Sequence, residues 1–161
     1  MAEIRDNATD AGRFARAVAA AVGVVFLLVG VLGFIPGVTT DYDSMTFAGH
    51  ESGAELLGVF AVSVLHNIVH LLFGVGGLLA ATQARFVAPF LYASAAVYGV
   101  LTVYGVVVDK ASAENFVPVN SADNWLHLVL TVGMAALGWV VQQRLHGGHF
   151  DYRPRGRHHA A

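Results

Sequence analysis

The chain has few of the residues that characterise disulfide-stabilised proteins and soluble enzymes. Its 161 residues include no cysteine, and only 12% are charged. The absence of cysteine excludes disulfides, thiolate metal sites and a cysteine nucleophile. An average soluble domain is about 25% charged, so this chain has too few charges to solvate a globular surface. Its net charge of −2 says nothing about nucleic acid, but the sequence has no basic patch with interleaved aromatic residues, so nucleic-acid binding is not predicted.

Long apolar runs take the place of those charges, since 56% of the residues are hydrophobic and they are clustered. A transmembrane helix needs about 20 mainly apolar residues, because the hydrocarbon core is about 30 Å thick. Stretches of this kind, without the polar stripe of a soluble bundle helix, occur at 15–35, within 54–81, at 86–108 and at 125–141. The sequence predicts an all-α integral membrane four-helix bundle, whose first segment is a retained helix and not a signal peptide.

Basic residues are concentrated at one set of helix ends. They are Arg5, Arg13 and Arg16 before the first span, Arg85 between the second and third, and Arg144, Arg153, Arg155 and Arg157 after the fourth. The other two connections hold Lys110 and several acidic residues. Lys and Arg near helix ends stay on the cytoplasmic side, so we predict a multi-pass plasma-membrane protein with both termini cytoplasmic. Residues 1–14 would form an N-terminal tail, 15–143 the transmembrane domain and 144–161 a polar, flexible C-terminal tail.

The second apolar run, residues 54–81, is longer than a bilayer requires. As one helix it would extend about 42 Å at 1.5 Å per residue, which calls for strong tilt or a break. We favour a break near Ser63, with a helical segment on the outer surface at about Glu55–Ser63 and the span beginning at about Leu65.

Polar residues interrupt the second and fourth apolar runs. His66, Asn67 and His70 lie in VLHNIVHLLFG, and Asn124 and His127 lie in DNWLHLVL. Such residues are rare in membrane spans and tend to mark function.

The two interruptions share the spacing N-x-x-H when residues 66–81 are set over residues 123–138. A second echo pairs FIP at 34–36 with FVP at 116–118. We interpret the pattern as a duplicated two-helix hairpin, whose copies would be related by an axis along the membrane normal. Chance similarity between short motifs is the alternative.

The start of the fourth helix is marked by polar residues. Ser121 is placed to cap the helix, and Asp123 follows in the first turn, where a carboxylate suits the positive helix end. Asp123, Asn124 and His127 would then lie near the outer interface, with the matching motif of the second helix at similar depth. The sequence therefore predicts one polar cluster toward the outer leaflet.

The stretches LLGVFAVSVLHNIVHLLFGVGGLLA and NFVPVNSADNWLHLVLTVGMAALG resemble the bacterial membrane-protein family known as domain of unknown function 4383. The resemblance covers about residues 14–143 and leaves out the tails. It implies a small integral membrane protein of four helices whose activity is uncharacterised, and so it supports the fold and the location without adding a mechanism.

Three functions compete for the polar residues. In the first, Asn67, Asn124 and the histidines cross-link helices, at roughly 0.6–2 kcal/mol per hydrogen bond, in a non-enzymatic structural or accessory membrane protein. In the second, His66, His70 and His127 bind haem or a transition metal, since histidines four apart share a helix face and neutral imidazole is a metal ligand. In the third, the histidines serve proton or small-solute transport.

The structural function is the preferred one. A proton path needs polar groups across the whole span, and the inner half supplies only hydroxyls and amides. An enzyme is not predicted, because the chain has no phosphate loop, no H-E-x-x-H motif and no plausible serine–histidine–acid set. The expected partners are the lipid bilayer and either another membrane protein or a second copy of this chain.

Overall fold

The structure is a computed structural model that describes residues 2–147, with side chains from residue 8 onward. This part of the chain forms a short 3₁₀ helix (Tyr42–Ser44) and four α-helices, which are α1 (Ala2–Leu32), α2 (Val64–Ala80), α3 (Ala84–Val107) and α4 (Ser121–Gly147). The prediction of a mainly helical fold is therefore confirmed. The segment expected as an N-terminal tail is helical from Ala2, and most of the expected C-terminal tail, 148–161, lies outside the described residues.

The helices are arranged as two antiparallel hairpins, because α1 packs mainly on α2 and α3 mainly on α4. The contacts run in opposite chain directions, as in Gly33–Asn67, Gly30–Leu71 and Gly23–Gly77 in the first hairpin and Gly105–Asn124, Gly99–Thr131 and Tyr92–Gly138 in the second. Contacts between the hairpins are fewer, and α2 and α3 touch along only a small part of their length.

Three of the helices are long and apolar enough to cross a membrane. The qualifying segments are Ala8–Leu32 with 25 residues, Ala84–Val107 with 24 and Ser121–Gly147 with 27. The remaining helix, α2, is apolar but has only 17 residues. The structure thus supports three of the four predicted spans by length and composition, and α2 is the short one.

The predicted break before α2 is confirmed, but the predicted helical segment at Glu55–Ser63 is wrong. Ser63 is the N-cap of α2, and its hydroxyl oxygen accepts a hydrogen bond from the His66 backbone N–H at 3.2 Å. The residues before it form two strands, β2 (Glu55–Leu56) and β3 (Phe60–Ala61). β2 pairs with β3 and with β1 (Thr39–Thr40), which gives an antiparallel sheet of order β1-β2-β3.

A tight turn explains why this apolar stretch is a β-hairpin and not a helix. The Val59 N–H donates to the Leu56 carbonyl at 3.1 Å, and the two residues between them, Leu57 and Gly58, have φ of 56° and 66°. Positive φ at both central positions is the turn geometry that suits paired strands. The helix was predicted because a short continuous apolar run does not by itself distinguish strand from helix.

Among the described residues, many large apolar side chains are exposed, and several polar side chains are buried together with an apolar core. Val106, Val107 and Trp125 are each at least 70% exposed, whereas Asn67 and Asp123 are at most 1% exposed. Large contiguous apolar surface is unusual on a soluble monomer. The polar residues of α2 and α4 therefore lie between the helices.

Candidate functional site

The three predicted cofactor histidines line one cavity. It has a volume of about 180 Å³ and lies between α2, α3 and α4, close to the end that carries the sheet. Five of its lining residues are polar or amphipathic, namely Ser63, His66, His70, Tyr98 and His127. The structure therefore brings together His66, His70 and His127, which stand on two different helices.

His66 and His70 lie one turn apart on α2, so their side chains share a helix face. Their rings are stacked, with centroids 4.4 Å apart and planes within 13° of parallel. His70 Nδ1 lies 3.0 Å from the His66 carbonyl oxygen. Because a carbonyl only accepts, Nδ1 of a neutral His70 carries the proton, and Nε2 is the ring's free acceptor.

His127 approaches the cavity from α4. Its ring lies 5.3 Å from that of Tyr98 and tilted by 50°, and its side chain is buried. Among the described residues, Nδ1 of His127 has no hydrogen-bond partner. Nδ1 is closed off from the cavity as well as from solvent, so a water or ligand in the cavity would reach it only after the His127 ring turns.

The geometry does not assemble these imidazoles into a metal centre. Within residues 2–147, no group of three or more His, Cys, Asp or Glu residues is placed to hold a metal ion. The His66 and His70 rings face each other instead of pointing their nitrogens at a common centre. A metal or haem would require these rings to turn.

The asparagines of the predicted cluster lie elsewhere and have a different environment. Asn67 on α2 covers Gly33 at the end of α1, and Asn124 on α4 covers Gly105 near the end of α3, so closely that a Cβ on either glycine would collide with the amide. Asn124 Nδ2 donates to the Gly105 carbonyl at 2.7 Å. Asn67 Nδ2 contacts the sulfur of Met45 at 3.9 Å.

Asp123, the third predicted polar residue, binds backbone amides. Its Oδ2 accepts from the Ala61 N–H at 3.1 Å and from the Asn120 N–H at 2.8 Å. Asn120 Oδ1 in turn accepts from the Asp123 N–H at 3.0 Å. This reciprocal pair is a capping box, so Asn120, and not Ser121, caps α4. Asp123 thereby ties β3 to the start of α4.

Tyr98 is the cavity residue that sequence reasoning did not select. It is almost fully buried on α3 and touches Phe26, Phe73 and His127 through its ring. Its position in the chain gives one signal: Tyr98 precedes Gly105 by seven residues, as Phe26 precedes Gly33. Extending the predicted repeat to α1 and α3 would have singled it out.

Three helices of spanning length, an apolar exterior and buried polar groups are typical of a small helical membrane protein. The chain belongs to the family described as domain of unknown function 4383 (DUF4383), whose model matches residues 16–140. The resemblance expected from the sequence is thus confirmed. No curated protein and no solved structure matches the chain.

Proposed function

We propose that the chain is a four-span plasma-membrane protein with both termini cytoplasmic, and that it acts as a non-enzymatic structural or accessory membrane component. The observation that carries the proposal is the pairing of Asn67 with Gly33 and of Asn124 with Gly105. Each asparagine fixes the two helices of one hairpin at the same end of the bundle. Small residues and polar side chains are the devices that associate helices in lipid.

The proposal treats α2 as the fourth span. Its 17 residues extend about 26 Å at 1.5 Å per residue, and about 17–25 residues is the range of transmembrane helices. It runs antiparallel to α1 along the apolar part of that helix. With α2 crossing, both ends of the chain lie on one side.

The distribution of charge supports the orientation. Arg144 stacks over Phe14, with its Cζ 4.0 Å from the ring centroid, and Gly12 lies against Ala84, beside Arg85. The basic ends of α1, α3 and α4 therefore meet at one end of the bundle. The sheet and the acidic connection lie at the other end, which agrees with cytoplasmic placement of the basic end.

The duplicated hairpin is supported by a constant offset within each pair of helices. Asn67 and His70 on α2 correspond to Asn124 and His127 on α4, 57 positions later, and Gly33 on α1 corresponds to Gly105 on α3, 72 positions later. The FIP and FVP echo has a different offset and plays no part in this correspondence.

Ring contacts support the same correspondence. Phe26 lies 5.6 Å from His70 at 52°, and Tyr98 lies 5.3 Å from His127 at 50°. Phe26 and Tyr98 stack on each other, with centroids 5.7 Å apart and planes 12° apart. Two related residues that meet each other are expected at an axis of internal symmetry between parallel repeats.

The absence of native cysteine makes single-cysteine labelling the natural test of topology. We expect Asp43→Cys and Glu114→Cys to react with an impermeant thiol reagent in intact cells, and Thr82→Cys to react only after permeabilisation. Labelling of Asp43→Cys and Thr82→Cys from the same side would show that α2 does not cross and would overturn the four-span proposal.

A metal or haem site is the second candidate function, because His66, His70 and His127 line one cavity. It requires the stacked rings to turn, and so it ranks below the structural role. Elemental analysis and a visible spectrum of the purified protein test it. Stoichiometric metal or a Soret band that disappears in His70→Ala and His127→Ala would displace the structural function.

A further inference from the structure

We propose that the cavity lined by His66, His70, Tyr98 and His127 binds one small uncharged ring molecule bearing hydroxyl or carbonyl groups, of the phenol or one-ring quinone class. The site goes beyond the structural function proposed above. It depends on the membrane location only for the ligand's access route from the lipid.

The size of the cavity sets the size of the ligand. Sites for drug-sized molecules measure about 300–1,000 Å³, and this one measures about 180 Å³. A water molecule takes about 30 Å³ in the liquid, so the space equals about six waters. One ring with short substituents fits, and a porphyrin does not fit without movement of the helices.

The walls suit a flat, apolar molecule. Six lining side chains are apolar, namely Leu65, Val69, Phe73, Val97, Leu101 and Val117. The rings of Phe73 and Tyr98 lie 5.8 Å apart at 53° and form an aromatic corner. A mainly apolar lining with a few convergent polar groups is the usual composition of a small-molecule site.

The polar groups at the cavity offer both donors and acceptors. His70 Nε2 is an acceptor, since Nδ1 bonds to the His66 carbonyl. His127 Nδ1 is buried and has no partner among the described residues. The Tyr98 hydroxyl both donates and accepts. Hydroxyl and carbonyl substituents on one ring would satisfy His70 Nε2 and the Tyr98 hydroxyl, and a turn of the His127 ring would add its Nδ1.

The same lining argues against a charged ligand. None of the described residues that line the cavity is Asp, Glu, Lys or Arg. A charge transferred there from water would lose its hydration without gaining an ionic partner, which is costly. The ligand is therefore uncharged.

The access route lies between α2 and α3, which pack on each other over a short length only. Val97 on α3 lines the cavity and is 42% exposed on the apolar outer face. In a membrane, that face meets lipid. A molecule that partitions into the bilayer reaches the site without passing through water.

Isothermal titration of the purified full chain in mild detergent, with tetramethyl-1,4-benzoquinone and with 4-methylphenol as probes, tests the site. We expect saturable one-to-one binding of at least one probe. Leu101→Trp fills the cavity and should weaken binding at least tenfold. Val100→Trp, on the neighbouring outward position of α3, is the matched control and should bind within twofold of the wild type.

A second pair of variants tests the assigned hydrogen bond and avoids any bulky substitution. Tyr98→Phe should weaken binding by about threefold to tenfold, the effect of one hydrogen bond. Tyr92→Phe is the control. The Tyr92 hydroxyl lies away from the cavity and donates to Gln142 Oε1 at 3.0 Å, so this variant should bind like the wild type. Unchanged affinity in Tyr98→Phe would overturn the role given to that hydroxyl.

Two results would overturn the site itself. One is the absence of saturable binding of both probes to the folded wild type, and the other is wild-type affinity in folded Leu101→Trp. Because the titration uses detergent, its outcome does not depend on topology. A failed titration with the expected labelling pattern would reject the cavity proposal alone, and the reverse result would reject the four-span proposal alone.

Discussion

In the α1–α2 hairpin glycine meets glycine: a Cβ on Gly23 would lie 2.8 Å from the Gly74 carbonyl oxygen and 2.9 Å from the Leu78 nitrogen. In the α3–α4 hairpin the positions that the proposed duplication pairs with Gly23 and Gly77 are Ala95 and Met134, both buried. The first hairpin is therefore held by close approach of its backbones, and the second by larger side chains. The two hairpins therefore share an antiparallel arrangement of helices but differ in the side chains that pack between them.

The polar residues show a similar division. Ser63 caps α2 and Asn120 caps α4, and three positions after each cap stand His66 and Asp123. His66 lines the cavity, whereas Asp123 binds the backbone of the sheet. If the proposed duplication holds, these equivalent positions have different tasks: the duplication would specify where polar side chains lie, and the neighbouring elements specify what they contact.

The largest expected loss of stability comes from a substitution that breaks the glycine contact of the first hairpin. Gly23→Leu should destabilise the protein by about 3 kcal/mol or more, because helix backbones must separate to admit the side chain. Gly133→Leu is the control, since no described atom lies within 4 Å of a Cβ there. Reversible unfolding by SDS in mixed micelles measures both, and equal stabilities would show that α1 and α2 are not in close contact.

The next largest effect distinguishes the role of Asp123 from that of His66, its counterpart in the proposed duplication. Asp123→Ala removes two hydrogen bonds to a buried carboxylate and should cost about 2–3 kcal/mol. Hydrogen exchange should also show that the Ala61 amide loses protection, because its hydrogen bond to Asp123 Oδ2 is gone. His66→Ala, at the equivalent position, should leave that amide protected. Loss of protection in both variants would argue against a specific bond.

The two asparagines provide a finer comparison. Asn124→Leu should cost about 1 kcal/mol, since the 2.7 Å bond to the Gly105 carbonyl is lost. Asn67→Leu should cost less than Asn124→Leu, because the hydrogen bond that it removes is only the 3.9 Å contact of Nδ2 with the Met45 sulfur, while the leucine must still pack against Gly33. The same SDS titration decides the order, and the reverse order would contradict the assigned partners.

The smallest effect concerns the sheet, which only the first hairpin carries. Leu57 has a φ of 56°, a conformation that costs a branched side chain about 1 kcal/mol. Leu57→Asn should therefore raise the free energy of unfolding by about 0.5–1 kcal/mol. Val59→Asn, at an exposed position without positive φ, should give no gain. A loss of stability in Leu57→Asn would indicate that the exposed Leu57 side chain has a contact of its own.

Much of the fold was predictable, but the connection between α1 and α2 was not. The apolar runs located the helices. The length of the run at 54–81 called for tilt or a break, and the N-x-x-H echo, which put His66 at the outer boundary, placed that break near Ser63. The strand pairing was missed because it depends on Thr39 and Thr40, which reach β2 from 15 or more residues away. Partners that distant leave no periodic trace in a single short strand.

The candidate site was predicted in part. His66, His70 and His127 were selected because histidine is rare in apolar runs. Tyr98 was not selected, since a tyrosine among apolar residues is common and only its contact with His127 sets it apart. The predicted single cluster is in fact three environments: a cavity for the histidines, glycine contacts for Asn67 and Asn124, and backbone amides for Asp123.

The sequence by itself determined the helical class, the membrane-like exterior and the N-x-x-H motifs, because hydropathy and residue type belong to each position separately. The tertiary structure alone decided what each polar side chain faces. His66 and Asn67 are adjacent in the chain, yet they point about 100° apart around α2. One therefore lines the cavity beside α3 and α4 while the other packs on α1, and only the placement of those neighbouring helices makes the difference.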